Sequence, residues 1–151
     1  MSYKVMIKYL NEKVGKEIPA PAYATDGAAG MDLTACIDED ILIKKGETVL
    51  IPTGVAIALP DNSSVAYIYA RSGLAIKHGI MLANGVGVVD SDYRGEVKVG
   101  LINLSNEDYI IKCGDRIAQM VFAPVLIAET EVLDELPETK RGEGGFGSTG
   151  R

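Results

Sequence analysis

From Asn84 to Val97 the chain runs Asn-Gly-Val-Gly-Val-Val-Asp-Ser-Asp-Tyr-Arg-Gly-Glu-Val. Two apolar, β-prone runs, Val86 to Val89 and Val97 to Ile102, enclose a polar turn in which Asp90, Asp92, Tyr93 and Arg94 fall within five residues. Asp, Ser and Gly alone would reverse the chain. Tyr93 adds a stacking face and Arg94 a fixed cation that a turn does not need, so a plain hairpin and a ligand-binding hairpin both fit the spacing. Ala70-Arg71-Ser72-Gly73 stands at a strand end ahead of a short helix, where the backbone N–H groups of Ser72 and Gly73 can face an anion. Ser72 would serve equally well as an N-cap. Gln119 lies in an otherwise apolar strand, where its amide can satisfy a polar group of the core.

Gly142 to Gly147 matches G-x-G-x-x-G, but that fingerprint needs a strand before it and a helix after it, and here four residues follow. No Lys follows the glycines, so it is not a P-loop either. From Pro137 onward the composition cannot bury a core face and reads as a tail that is mobile until something orders it. What the tail offers is Arg141, exposed backbone N–H groups, the hydroxyls of Ser148 and Thr149 and the ring of Phe146, which are phosphate ligands plus one stacking surface. His78 is the one histidine, and no Cys-x-x-Cys or His-x-Glu accompanies it. That excludes a zinc deaminase site and a His-based triad, and leaves any metal to be held by oxygen.

Five segments in order, Ala29-Gly30-Met31-Asp32-Leu33, Ala70 to Ala75, the stretch around Asp90, Gly114-Asp115-Arg116-Ile117-Ala118-Gln119 and Arg141 to Thr149, resemble the signature motifs of the trimeric all-β dUTPases, the deoxyuridine triphosphate nucleotidohydrolases. The resemblance implies a jelly-roll-like distorted barrel of the β-clip kind, assembled as a homotrimer with sites at the subunit boundaries. It implies hydrolysis of dUTP to dUMP and pyrophosphate with Mg²⁺. In that pattern Asp90 is the general base on the water that attacks the α-phosphorus. Tyr93 lies under the deoxyribose, and Asn84, with the backbone of Gly87 and Val88, reads the uracil edge. Asn84-Gly85 is also a favourable turn dipeptide. Arg71, Ser72, Gly73 and Gln119 contact the triphosphate, with Ser72 near the oxygen that bridges the α- and β-phosphorus atoms. Phe146 covers the base while Arg141, Gly147, Ser148 and Thr149 approach the phosphates. Asp32 is implied to stand behind the metal, with Mg²⁺ held mainly by substrate phosphates and water. A deaminase of dCTP on the same fold and a non-catalytic nucleotide-binding member are the alternatives. Tyr93 beside Asp90 opposes the first, and intact Asp90, Arg71, Gln119 and the tail oppose the second.

The elements that must position these groups follow a period of two. Val5, Ile7 and Tyr9 alternate with Lys4, Met6 and Lys8, and Val97, Val99 and Leu101 alternate with Glu96, Lys98 and Gly100, each pattern predicting a strand. Further strands are expected at Ile41 to Ile43, Thr48 to Ile51, Val55 to Leu59, Val65 to Ala70, Ile117 to Phe122, Val125 to Ile127 and Thr130 to Leu136, with Ala22 to Gly30 a loop. Gly73 to Lys77 is a short connecting helix. Short strands punctuated by Gly and Pro predict an all-β sandwich or barrel. The 151 residues suit one domain, 1–136, followed by a flexible arm, 137–151.

Forty-seven per cent hydrophobic and 24% charged residues are ordinary for a soluble globular protein, with no apolar run of membrane-spanning length. The start Met-Ser-Tyr-Lys leads straight into the first alternating run, so a cytoplasmic protein is expected. A net charge of −6 opposes a nucleic-acid surface, while Arg71, Arg94, Arg116 and Arg141, each inside a motif, favour a local positive pocket for an anion. Cys36 and Cys113 are expected to be small buried hydrophobes rather than a staple.

Overall fold

The structure, a computed structural model, describes residues 3–145. The expected ligands Phe146, Gly147, Ser148 and Thr149 lie outside the described residues. The chain forms β1 (Met6–Tyr9), β2 (Ala22–Tyr23), β3 (Met31–Thr34), β4 (Ile41–Ile43), β5 (Thr48–Ala58) and β6 (Ser64–Tyr69). It continues through α1 (Ser72–His78), β7 (Ile80–Leu82), β8 (Gly87–Val89), β9 (Glu96–Asn103), β10 (Tyr109–Ile111) and β11 (Arg116–Pro124). The all-β expectation therefore holds, with one short helix acting as a connector.

The strands form a four-stranded sheet, β1-β5-β9-β7, a five-stranded sheet, β2-β3-β11-β6-β8, and the small pair β10-β4. Every pairing between these strands is antiparallel. One contiguous core takes Ile51, Val97, Val99 and Leu101 from the first sheet and Leu33, Ile68, Val89 and Met120 from the second. On β9 the alternation is realised as expected: Val97, Val99 and Leu101 are buried while Lys98 between them is exposed.

Four expectations need correction. Thr48 to Ile51 and Val55 to Leu59 are one strand, because Pro52-Thr53-Gly54 is a bulge rather than a turn. Pro52 still stands opposite Lys98, the register shifts between Pro52 and Ala56, and Gly54 adopts φ 71°. Val125 to Ile127 and Thr130 to Leu136 form no strand. Past Pro124, which pairs with Ser64, the Val125 N–H still bonds to the Ser63 carbonyl, and the exposed Leu126, Ile127, Val132, Leu133 and Leu136 then meet no sheet edge. Cys36 is buried as expected, but Cys113 sits exposed in the Lys112 to Asp115 turn, where Asp115 accepts the Lys112 N–H at 2.8 Å. Ala22 to Gly30 is not loop throughout, because Ala22–Tyr23 pairs with Asp32 and Met31 as β2. Neither β2 nor Met31–Thr34, Ile80–Leu82 and Tyr109–Ile111 was anticipated, since segments this short display no period.

The fully buried Asn103 ends β9 and pins it to the small pair. Its amide donates to the carbonyls of Ile43 (2.9 Å) and Glu107 (2.8 Å), and its oxygen accepts from the Ser105 N–H (2.9 Å) and hydroxyl (2.8 Å). Asn103→Ala strands the Ile43 carbonyl in the core and is expected to destabilise the fold by about 3 kcal/mol. A lowered urea midpoint at unchanged slope and fixed protein concentration would verify it; a change under a few tenths of a kcal/mol would refute it.

Candidate active site

The two apolar runs around Asp90 do not pair with each other. β8 pairs with β6 in the five-stranded sheet, whereas β9 lies between β5 and β7 in the four-stranded one. The stretch from Asp90 to Gly95 is thus a connection between layers and not a hairpin, and it closes one wall of a cleft at the sheet margin. That cleft, about 320 Å³, is lined by Asn84, Gly87, Val88, Asp90 and Tyr93 together with Glu96 and Lys98. Five sequence-predicted positions are brought together there. Lys98 was not anticipated as a lining residue, although its place on the wet face of β9 was legible.

Local chemistry fixes the connection. The Tyr93 N–H donates to the Asp90 carbonyl at 3.2 Å, and the Tyr93 hydroxyl donates to the Glu96 carbonyl at 2.9 Å. Arg94 turns its guanidinium back on the turn, donating to the carbonyls of Ser91 (2.7 Å) and Tyr93 (2.9 Å), so this cation is a brace and not part of a positive pocket. The Glu96 carboxylate accepts the Gly54 N–H at 2.9 Å, which ties the start of β9 to the β5 bulge. Asn84 and Gly85 do form a turn: Gly85 has φ 73° and the Val86 N–H bonds to the Asn84 carbonyl at 2.9 Å. The turn uses Asn84's backbone and leaves its exposed side chain at the cleft. Gly87 is required by close approach, because a Cβ there would stand 2.9 Å from Ile68 Cβ on β6.

A second cluster forms where β3, β11 and β6 run side by side. Gln119 is opposite Asp32 on one flank and Tyr69 on the other. Its amide donates to the Ala70 carbonyl at 3.0 Å, one residue before Arg71. One oxygen of Asp32 accepts Arg71 Nε at 2.8 Å and the other accepts Arg116 Nη1 at 3.0 Å. Arg71 also occupies the N-cap position of α1 with no side-chain cap, which places Ser72 inside the first turn and leaves its hydroxyl uncommitted to capping. The first helical bond runs from the Ala75 N–H to the Arg71 carbonyl, so the N–H groups of Ser72, Gly73 and Leu74 have no partner within the helix. Arg71 and Gly73 line a cleft of about 340 Å³ with Lys77, His78, Tyr109 and Arg116. The exposed His78 packs its ring on Tyr109 at 4.9 Å, as befits a surface histidine, and burial pushes the Tyr109 hydroxyl above its ordinary pKa. Arg141 lies apart, donating to the Gly144 carbonyl at 2.7 Å within its own turn.

The two clusters do not share a cleft in one chain, and the register of the β6–β8 pair says why. Val89 faces Ala66 and Gly87 faces Ile68, so Asp90 leaves the ribbon level with Val65 while Arg71 leaves it beyond Tyr69. Six extended residues separate those levels, roughly 20 Å at ~3.3 Å per residue.

Among the described residues no three His, Cys, Asp or Glu side chains are grouped to hold a metal ion. Asp32, the carboxylate expected behind the metal, is half-buried with both oxygens on guanidinium groups. The donor set therefore fits a Mg²⁺ that arrives on ligand oxygens rather than one caged by the chain. No helix is long and apolar enough to cross a membrane among the described residues.

The dUTPase family model matches residues 16–150. A deoxyuridine 5'-triphosphate nucleotidohydrolase of Desulfitobacterium hafniense is 55% identical over 149 residues, covering 99% of this chain and 97% of that protein. One of Hahella chejuensis is 52% identical over 150 residues, covering 99% of each. Among solved structures, a mutant dUTPase of Staphylococcus bacteriophage 80alpha with dUpNHpp superposes with a TM-score of 0.85 at 24% identity, over 99% of this chain and 100% of that one. A mutant dUTPase from phage phi11 of S. aureus, described with a structural Mg(II) ion, gives 0.77 at 20% identity over 89% and 99%.

Proposed function

This chain belongs to the dUTPase family, and on that premise we propose that it hydrolyses dUTP to dUMP and pyrophosphate at a site completed between subunits of a homotrimer. The observation that carries the reading is the single cleft on which Asn84, Gly87, Val88, Asp90 and Tyr93 converge. Asp90 positions a water and accepts its proton as the water oxygen bonds to the α-phosphorus. For that it must stand within hydrogen-bond reach of the water, roughly 2.6–3.2 Å. The bond from the α-phosphorus to the bridging oxygen breaks, and pyrophosphate leaves with the electron pair. Arg71, Gln119 and the N–H groups of Ser72 and Gly73 hold the phosphates in line. Asp32 keeps the Arg71 fork aimed by pairing with it and with Arg116. Mg²⁺ carried on the triphosphate, with Asp32 near it, would supply neutralisation of the negative charge that grows on the leaving group.

The α-phosphorus and the β-phosphate share one oxygen, yet Asp90 and Arg71 of one chain leave their ribbon about 20 Å apart. A second subunit must therefore bring its Arg71 cluster to the Asp90 cleft, which supports the trimer. The exposed apolar run through Leu126, Ile127, Val132, Leu133 and Leu136 supports it too, since clustered apolar surface marks protein contact. Residues 137–151, including Arg141, Phe146, Gly147, Ser148 and Thr149, are assigned as the arm that closes over the nucleotide.

The base is selected by hydrogen bonds from Asn84 and the Gly87 and Val88 backbone. A cytosine offers the wrong donors and acceptors there and should be rejected by ~10⁴ or more. A pyrophosphate-release assay across dUTP, dCTP, dTTP and UTP with Mg²⁺ tests this: dUTP alone should turn over efficiently. Comparable turnover of dCTP, or ammonia released from it, would overturn the assignment.

A further inference from the structure

We propose that Gly95 is a specificity-determining residue: the Tyr93 ring rests in the space where Gly95 lacks a side chain, and that seat sets how strictly the site excludes a ribonucleotide. The proposal rests on the reading above that Tyr93 lies against the sugar. A Cβ placed on Gly95 would stand 2.4 Å from the Tyr93 hydroxyl oxygen, 2.6 Å from Cζ and 3.0 Å from Cε2. Gly95 is not among the glycines with positive φ. The backbone would accept any residue, so the ring is what demands glycine.

The surroundings decide which partner yields when a methyl is added. The backbone beneath the ring is braced by Arg94 on the carbonyls of Ser91 and Tyr93, and the Glu96 carboxylate, accepting the Gly54 N–H, ties the start of β9 to β5. The ring itself is held at its tip by one bond, from its hydroxyl to the Glu96 carbonyl at 2.9 Å, and Tyr93 is 45% exposed. A methyl at position 95 therefore lifts the ring off that carbonyl and outward, at small cost to the fold. Exclusion of one extra hydroxyl by contact needs a wall that does not move, and a lifted ring is no longer one.

The experiment measures kcat/KM for dUTP and UTP, and the thermal midpoint, in Tyr93→Ala, Gly95→Ala and the double variant. Gly95→Ala should lower the dUTP:UTP ratio at least about tenfold, with a midpoint close to the parent's. The double variant should match Tyr93→Ala, because no ring remains to be displaced. A Gly95→Ala enzyme that keeps the parental ratio while Tyr93→Ala changes it overturns the proposal. So does a further fall when Gly95→Ala is added to Tyr93→Ala, a comparison that stands even if the single variant folds poorly. If neither single variant alters the ratio, the placement of Tyr93 against the sugar fails first and this proposal falls with it.

Discussion

Asp90→Asn is expected to lower kcat for dUTP by about 10²–10⁴-fold while leaving nucleotide affinity nearly unchanged. Asn has the shape of Asp and can still orient a water, but it cannot accept the proton. The substitution should not disturb the connection, because what holds position 90 is backbone: Val89 pairs with Ala66 and is buried, and the Asp90 carbonyl accepts the Tyr93 N–H. In the proposed site binding energy comes from the other groups of the cleft and from the Arg71 cluster, so the expected loss belongs to the transition state alone. Single-turnover rates with dUTP, set beside the dissociation constant of a non-hydrolysable analogue, separate the two quantities. Turnover within a few-fold of the parent would remove Asp90 from the chemistry.

Much of the fold was legible because β9 and β1 show their period of two openly. What was misread has physical causes. Pro52-Thr53-Gly54 carries turn residues, yet Thr53 donates its hydroxyl to the Val97 carbonyl and the strand continues through the bulge. The apolar runs after Pro124 look like strands because hydrophobicity reports that a segment seeks burial, not whose surface buries it. The stretch around Asp90 looks like a hairpin because two β-prone runs flank a short turn, and local sequence cannot tell that its arms join different sheets.

The site divides in the same way. Asn84, Gly87, Val88, Asp90 and Tyr93 were legible as one group because they are neighbours in the chain. The Asp32 clamp was not, since its partners Arg71 and Arg116 are 39 and 84 residues away. Nor was the role of Arg94, whose charge suggests an anion and whose guanidinium instead holds its own turn. Gly95 drew no notice in the sequence, because its φ asks for no glycine and only the Tyr93 ring, placed by the fold, does.

The central claim, a site that takes Asp90 from one chain and Arg71 from another, is tested by complementation. The two variants are Asp90→Asn and Arg71→Ala, the latter leaving Asp32 paired with Arg116. Each alone should be nearly inactive, because every site in it carries the same lesion. Refolded together at equal amounts so that trimers mix, a site needs its Asp90 from the second kind of chain and its Arg71 from the first. Two independent even draws in a closed three-fold ring complete about a quarter of the sites. The decisive measurement is dUTP turnover of the co-refolded mixture against the same variants refolded separately and then combined. Recovery to roughly a quarter of parental activity in the first sample alone is the predicted result; no recovery, with mixed trimers confirmed by mass, would contradict a site shared between chains.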